Sequence, residues 1–494
     1  MRSPDHLSQA TDGGGGRRAP IRQRCITILL SAWLAALGLA SLATADQIDD
    51  YINAEMKRRQ IPGLALAVAK NGATVRLGAY GMANLEHDVP VTPDTVFELA
   101  SVTKQFTATA IMVLVEEGKV QLDDSIVRHL PRGPETWKPI TVRHLLTHTS
   151  GLPALGNDFK SLWAGGLRMN YSTQQLFDAA AKDTLDFAAG ERFQYSDVGY
   201  FLLGMIIESA SNQRYREFLE QRFWKALGMT STSVLDQSRI LKHRAAGYTL
   251  RGDELVNIRR TVQAELPSHY GVFSTVKDLL IWDAALAAGR VVKPATLSQM
   301  WTPVKLNYGG AYPYGFGWFV SERRGHPWIW HTGITGTELS RFPDDGLTVV
   351  VLTNLGRWVG PSRVNSWGLT YGVAGRYVRG LLVGAETPTA DPQPSRTAAL
   401  RSLLEAMARG ENPPTLNPRF RIYLSRDDRD VFAERLKTAR EFSFVTCDAR
   451  TLEMHGAAVT HVCHYKMVNA AETRYYSFWL TADDHVAAFA SSTE

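Results

Sequence analysis

The chain has 494 residues, 45% of them hydrophobic and 10% aromatic, which is enough for a large core and for about two or three domains and excludes a disordered chain. Residues 1–45 hold five arginines and two aspartates; taking their +3 from the formal net charge of +5 leaves +2 for the remainder, so nucleic acid is not the expected partner. Arg17, Arg18, Arg22 and Arg24 precede an apolar run from Cys25 to Ala40, and Ala43-Thr44-Ala45 is a small-x-small cleavage signature. The expectation is an export signal over residues 1–45, cut after Ala45, with a periplasmic or secreted product and no stable membrane span after cleavage. The alternative, a retained anchor, needs ~20 apolar residues, and Ser31 and Gly38 interrupt this run. Removal of the leader leaves Cys447 and Cys463, which in an oxidising compartment suggest one disulfide; two reduced thiols on neighbouring strands are the alternative.

Gln47 to Arg59 places Ile48, Tyr51, Ile52 and Met56 at helical spacing. Leu64–Val68 and Thr74–Leu77 are strand-like about the tight-turn signal Asn71-Gly72. Thr107 to Val115 lacks the polar face of a surface helix, which predicts a helix buried between layers. Leu122 to Leu266 is mainly helical in pattern and reads as an insertion against a sheet. Strands are expected at Gly315–Val320, Trp328–Gly333 and Leu347–Thr353, and a helix at Trp367–Leu382. The plan is α+β with an antiparallel sheet over residues 46–383. A proline-rich linker, 384–395, leads to a small α+β accessory domain, 396–494, with helices near Ala398–Met407 and Asp427–Ala439. Its strands are expected at Phe442–Cys447, Val459–Val468, Arg474–Leu480 and His485–Ala490.

The chain is organised around Ser101-Val102-Thr103-Lys104. Residues three apart share a helix face, so Lys104 would hold its amine beside the Ser101 hydroxyl, with the free N–H groups of the first turn around that oxygen. A second S-x-x-K at Ser274–Lys277 has a structural explanation: Thr275 and Asp278 form a capping box that opens an amphipathic helix with Leu279, Leu280, Trp282 and Leu286. Phe193-Gln194-Tyr195-Ser196-Asp197 and Trp330-His331-Thr332-Gly333-Ile334 supply further polar groups. His148-Thr149-Ser150-Gly151 reads as a turn after a helix, and no G-x-S-x-G is present, which argues against an α/β-hydrolase. His455, His461, Cys463 and His464 do not make a metal site, because strand alternation sends His464 to the face opposite His461 and Cys463. Tyr308, Tyr312, Tyr314, Trp328 and Trp330 form either an apolar acyl pocket or sheet core.

In this order the three motifs resemble those of the serine β-lactamase and penicillin-binding family, nearest to its class C β-lactamase, D-alanyl-D-alanine carboxypeptidase and esterase branch. Thr141–Leu152, Gly199–Ile207, Gly271–Leu279 and Tyr314–Trp318 also resemble family segments, and the likeness runs from Gln47 to Leu382. It implies a β-lactamase/transpeptidase-like fold with a helical subdomain, and a serine hydrolase that needs no metal or cofactor. It further implies that Ser101 is acylated, that Lys104 and Tyr195 manage its proton, and that the N–H groups of Ser101 and Ile334 stabilise the oxyanion. Asp197 and His331-Thr332-Gly333 would then contact the substrate, a small-molecule ester, D-amino-acid peptide or β-lactam.

Two departures bear on activity. Asp197 stands where the family usually has asparagine; ionised, it cannot donate to a substrate amide, and it should keep Lys104 cationic so that Tyr195 can act as a phenolate base. His331 stands where β-lactamases usually have lysine, and a partly protonated imidazole would pull on a substrate carboxylate in a pH-dependent way. Carboxylesterase or D-alanyl peptidase activity is therefore expected before β-lactamase activity. A catalytically retired binding protein is the rival, disfavoured by the joint presence of Ser101, Lys104 and Tyr195.

Overall fold

A computed structural model describes residues 47–154, 169–236, 238–258, 262–356, 368–385, 389–422, 433, 435–470 and 472–492. The expected export signal lies outside the described residues. Of the unit 1–51 only residues 47–51 are described, as the start of a helix, α1, over 47–59; all else belongs to the unit 52–494. Among the described residues no helix is long and apolar enough to cross a membrane.

Strands β1 (Gly63–Lys70) and β2 (Ala73–Asn84) form the expected hairpin. Asn71 and Gly72 both take positive φ, +51° and +79°, as a two-residue turn matched to strand twist requires. A short β3 (Val89–Pro90) pairs with the end of β2. The chain then reaches α2 (Lys104–Glu116), whose residues from Lys104 to Leu114 are buried. Phe106 packs its ring 4.5 Å from Trp282, and the polar side chains are satisfied inside: Thr107 donates to the Ser268 carbonyl at 2.6 Å. In the helical region α3 (Val142–Leu146) packs on α4 (Asp197–Ser211), and α4 packs on α2.

α5 (Val276–Ala287) starts at Thr275, whose hydroxyl accepts from the Asp278 N–H at 3.1 Å. Only half of the expected capping box forms, because the Asp278 carboxylate instead accepts from Ser231 N and Thr232 Oγ1. Ser274 bonds Thr232 in the same buried cluster. The helix is also buried on more than one face, since it is sandwiched between the sheet and the helical region rather than edged by solvent.

Four strands complete the main sheet: β4 (Phe319–Arg323), β5 (His326–Gly333), β6 (Thr337–Phe342) and β7 (Leu347–Thr353). Its order is β4-β5-β6-β7-β1-β2-β3, with antiparallel neighbours throughout. Along β1 and β7, Ala65, Ala67, Val350 and Leu352 join the core shared with α2 and α5, and the alternate residues Leu64, Leu66, Val349 and Val351 are buried on the other face. Two expectations need correction here. Residues 315–318 are not strand: Gly317, at φ +80°, lets the chain lie against α2, where a Cβ would come within 2.7 Å of the Lys104 carbonyl. β6 is not expected from the sequence, because Thr337, Glu338, Ser340 and Arg341 read as surface; Glu338 is instead buried and bonded to Thr370 and the Gly368 N–H.

The helix expected at Trp367–Leu382 is shorter: α6 (Leu369–Ala374) packs on β6 and β7, and Trp367 lies outside the described residues. Helix α7 (Pro394–Ala408) begins inside the expected linker, with Pro394 in its first turn, where a missing N–H costs nothing. Most of the helix expected at Asp427–Ala439 lies outside the described residues. Strands β8 (Glu441–Met454), β9 (Ala457–Val468), β10 (Thr473–Leu480) and β11 (Val486–Ser492) form a four-stranded antiparallel meander. Leu400, Leu403, Leu404 and Met407 of α7 pack on it with Tyr476, Phe478 and Leu480. Cys447 and Cys463 are cross-strand partners, with Cα atoms 4.0 Å apart, and are joined as a disulfide. His464 is buried and bonds Ser477, while His461 bonds Thr460.

Candidate active site

Ser101 lies in a tight turn, Ala100–Thr103, that runs directly into α2, so Lys104 is the first residue of the helix and sits one turn from the serine. Ala100 is held in the left-handed region at φ +46°, a conformation that costs an alanine about 1–2 kcal/mol and that the surroundings must impose. They do so through hydrogen bonds of Leu99 and Thr103 to Val272. Leu99 N donates to the Val272 carbonyl at 2.9 Å, and Val272 N donates back to Thr103 Oγ1 at 2.9 Å.

The Lys104 side chain is wholly buried, and its ammonium has three acceptors: Asp197 Oδ1 at 2.7 Å, the His269 carbonyl at 3.0 Å and Ser101 Oγ at 3.2 Å. An ammonium has three protons, so this set fits the charged form. Burial pushes the Lys104 pKa down, and the Asp197 carboxylate opposes that push. Burial alone would raise Asp197, but Lys104 outweighs it and holds the carboxyl below its ordinary range. Asp197 owes its place to α4, of which it is the first residue, after the cap Ser196.

Tyr195 lies with its ring 4.6 Å from Lys104 Nζ, and its buried hydroxyl meets no partner within hydrogen-bond geometry among the described residues. Ser101 is the polar neighbour that favours the phenolate, but burial and the Asp197 charge dominate and push the phenol well above its ordinary value. The expected resting phenolate is therefore corrected. Asp197 does pair with Lys104, yet the same carboxylate cancels the positive charge that a tyrosinate would need.

The β5 motif closes the site. A Cβ on Gly333 would lie 2.2 Å from the Leu99 carbonyl and 2.3 Å from Thr337 Oγ1, so glycine is what lets this strand end meet the nucleophile turn. Thr335 Oγ1 donates to the Glu98 carbonyl at 2.6 Å and Thr337 Oγ1 to the Leu99 carbonyl at 2.8 Å, which ties the backbone just after Ile334 to the residues before Ser101. The Ile334 side chain itself is exposed. Thr332 is buried beside His331.

His331 corrects another expectation. It is buried, with Nδ1 on the Thr332 carbonyl at 2.8 Å and Nε2 accepting from the Tyr314 hydroxyl at 3.1 Å. Burial, with the nearby Lys104 charge, takes its pKa to about 3, so it is neutral throughout the physiological range. The aromatic residues divide between the two alternatives. Tyr314 supports His331, whereas Trp328 stacks on Trp330 at 4.7 Å and belongs to the sheet.

His148, which reads from the sequence as a turn residue alone, has a further part in the site. It is buried at φ +56°, its Nδ1 accepts from Ser196 N at 3.0 Å, and its ring lies 4.2 Å from that of Tyr195. It thereby positions the Tyr195–Asp197 segment. Its only sequence signal is a histidine inside the Thr141–Leu152 segment.

An antiparallel sheet over a buried helix that opens with a serine and a lysine one turn apart is a β-lactamase/transpeptidase-like architecture. A family model described as Beta-lactamase matches residues 48–369, and the chain belongs to that family. It is 31% identical over 320 residues to Protein flp of Staphylococcus aureus (strain COL), a match that covers 63% of each protein. The chain thus spans less than two thirds of that relative's length. It is 32% identical over 318 residues to penicillin-binding protein 4* of Bacillus subtilis (strain 168), covering 60% of this chain and 69% of that one. The octameric penicillin-binding protein homologue from Pyrococcus abyssi shares the fold, with a TM-score of 0.58 at 23% identity, over 91% of this chain and 96% of its own. Residues 48–369 alone cannot supply that coverage, so the shared fold extends into the C-terminal region.

Proposed function

We propose that the protein is an exported serine hydrolase that works through an acyl-enzyme on Ser101, with carboxylesters or D-alanyl peptides as substrates. The observation that carries this reading is the contact of Ser101 Oγ with a buried, fully bonded Lys104 ammonium at 3.2 Å. Ser101 Oγ attacks the substrate carbonyl while the N–H groups of Ser101 and Ile334 receive the developing oxyanion. The carbon–oxygen bond to the alcohol breaks, and the serine proton passes to that leaving group through the neighbouring Tyr195 hydroxyl. Water then cleaves the acyl-enzyme, releasing the acid and restoring Ser101.

Asp197 and His331 support esters over β-lactams as preferred substrates. Asp197 is ionised and offers no donor to an amide carbonyl, and His331 is neutral and offers no cation to a carboxylate. The test is incubation with a short-chain p-nitrophenyl ester, a chromogenic cephalosporin and a fluorescent penicillin, with Ser101→Ala as control. Prompt Ser101-dependent ester turnover with slow β-lactam turnover is expected. Neither labelling nor turnover on any of them would leave only the rival reading, a binding protein.

A further inference from the structure

The hairpin of β8 and β9 reaches from the C-terminal domain to the aromatic residues around Tyr195. Its tip is the two-residue turn His455-Gly456, at φ +52° and +75°, between the paired Met454 and Ala457. The His455 ring meets Tyr312 edge-on at 6.1 Å, and Tyr312 stacks on Phe193 at 3.7 Å with planes 12° apart. Phe193 in turn touches His148 and Tyr314, and both of those rings touch Tyr195. Beside this line of rings the Arg419 guanidinium sits 3.8 Å over the centroid of Tyr308. The turn and the arginine are packed together, since a Cβ on Gly456 would come within 2.1 Å of an Arg419 nitrogen. Two ion pairs hold the domain in place, Arg450 with Glu322 of the edge strand β4 at 3.6 Å and Glu472 with Arg58 at 3.2 Å.

From this geometry we infer that the C-terminal domain sets the size of the acyl group the site admits. Arg419 and His455 are positioning residues: they clamp Tyr308 and Tyr312 and so fix the aromatic wall that continues outward from Tyr195. A wall of stacked rings accepts an apolar acyl chain, and clamping it from behind limits how far it yields to a longer one. The inference rests on the reading of Ser101 as the acylated residue.

The test uses the full chain and p-nitrophenyl esters from acetate to octanoate. In the double variant Arg419→Ala/His455→Gly the ring and the guanidinium are lost, while glycine keeps the positive φ of the turn. The octanoate-to-acetate ratio of kcat/KM should rise roughly tenfold, the scale on which apolar pockets discriminate chain length, and the change should appear in KM for the longer ester. Tyr308→Ala, at a 36%-exposed position in the main domain, removes the seat of Arg419 without altering the C-terminal sheet and should shift the ratio the same way even where the double variant fails to fold. A ratio within twofold of wild type in a folded Tyr308→Ala or double variant overturns the inference alone. Wild-type protein that hydrolyses no ester in a Ser101-dependent manner overturns the functional reading and this inference with it.

Discussion

Replacing Asp197 by asparagine removes the one anion that touches Lys104 among the described residues. The two groups lie 2.7 Å apart, with the lysine side chain fully buried and the aspartate side chain 27% exposed. At an effective dielectric constant of about 20 their attraction is about 6 kcal/mol. Desolvation of both charges offsets much of this, and loss of one partner from a buried pair costs about 3–5 kcal/mol. Lys104 answers the loss by giving up its proton more readily, because burial already pushes its pKa down and nothing now opposes it. With the folded-state pKa of Lys104 depressed below that of the unfolded chain, the unfolded state binds more protons, so the variant's stability deficit is largest at low pH and shrinks as pH rises toward the ordinary lysine range. In catalysis two changes act together: Lys104 becomes a free base at lower pH, and the asparagine amide can donate to a substrate amide carbonyl, a bond worth about 0.5–1.5 kcal/mol. The ratio of β-lactam acylation to ester hydrolysis should therefore rise about threefold or more, and the falling limb of kcat/KM against pH, where Lys104 loses the proton that holds the serine oxygen, should move to lower pH. Stopped-flow acylation by a chromogenic cephalosporin and steady-state ester hydrolysis, both from pH 5 to 10, measure this. An unchanged ratio with superimposable pH profiles would refute this role for Asp197.

Gly333→Ala forces a methyl group into the Leu99 carbonyl, so the strand end must retreat from the nucleophile turn. With one oxyanion donor displaced, kcat for ester hydrolysis should fall about 10²–10³-fold while circular dichroism stays native; a loss under about tenfold would argue against Ile334 N–H as donor. The buried histidines predict acid lability. Burial first takes His331 to about 3 and His269 and His455 to about 4, so each folded-state pKa is depressed. Their stabilisation is present above pH 6.5 and is lost as pH falls from there toward the folded-state values. Between pH 7.5 and 5.0 each contributes a loss of about 2 kcal/mol. Urea unfolding of His331→Gln at the two pH values should show a pH effect smaller than wild type by about that amount; an identical pH effect would mean that His331 is already charged when folded.

What is legible in the sequence is local. The spacing of Ser101 and Lys104, the Asn71-Gly72 turn and the apolar run of α2 each state their geometry within a few residues. What is not legible depends on partners far along the chain. β6 hides because its polar residues find Thr370 and the Gly368 N–H, about 30 residues away. Residues 315–318 carry glycines that a strand reading tolerates, and only their contact with Lys104 and Ala108 explains the bend. The ionisation of His331 and Tyr195 escapes a motif reading for the same reason: motif chemistry identifies the neighbours, but burial, which is a tertiary property, reverses the direction.

That reversal constrains how the site can work. Among the described residues around Ser101 are one ammonium, one carboxylate and three imidazoles kept neutral by burial, and the charges of this group cancel. A resting phenolate at Tyr195 would leave a net negative charge in a buried space, which desolvation penalises. Tyr195 can therefore release its proton only as it receives another, and the serine proton is the one available. Tyr195 thus relays rather than stores, Lys104 holds the serine oxygen as it becomes negative, and the energetic cost of separating charge falls on the transition state, where the oxyanion donors act. The same balance disfavours any substrate that carries its own carboxylate next to Asp197, so of the two proposed substrate classes it favours carboxylesters over peptides that end in a free D-alanine.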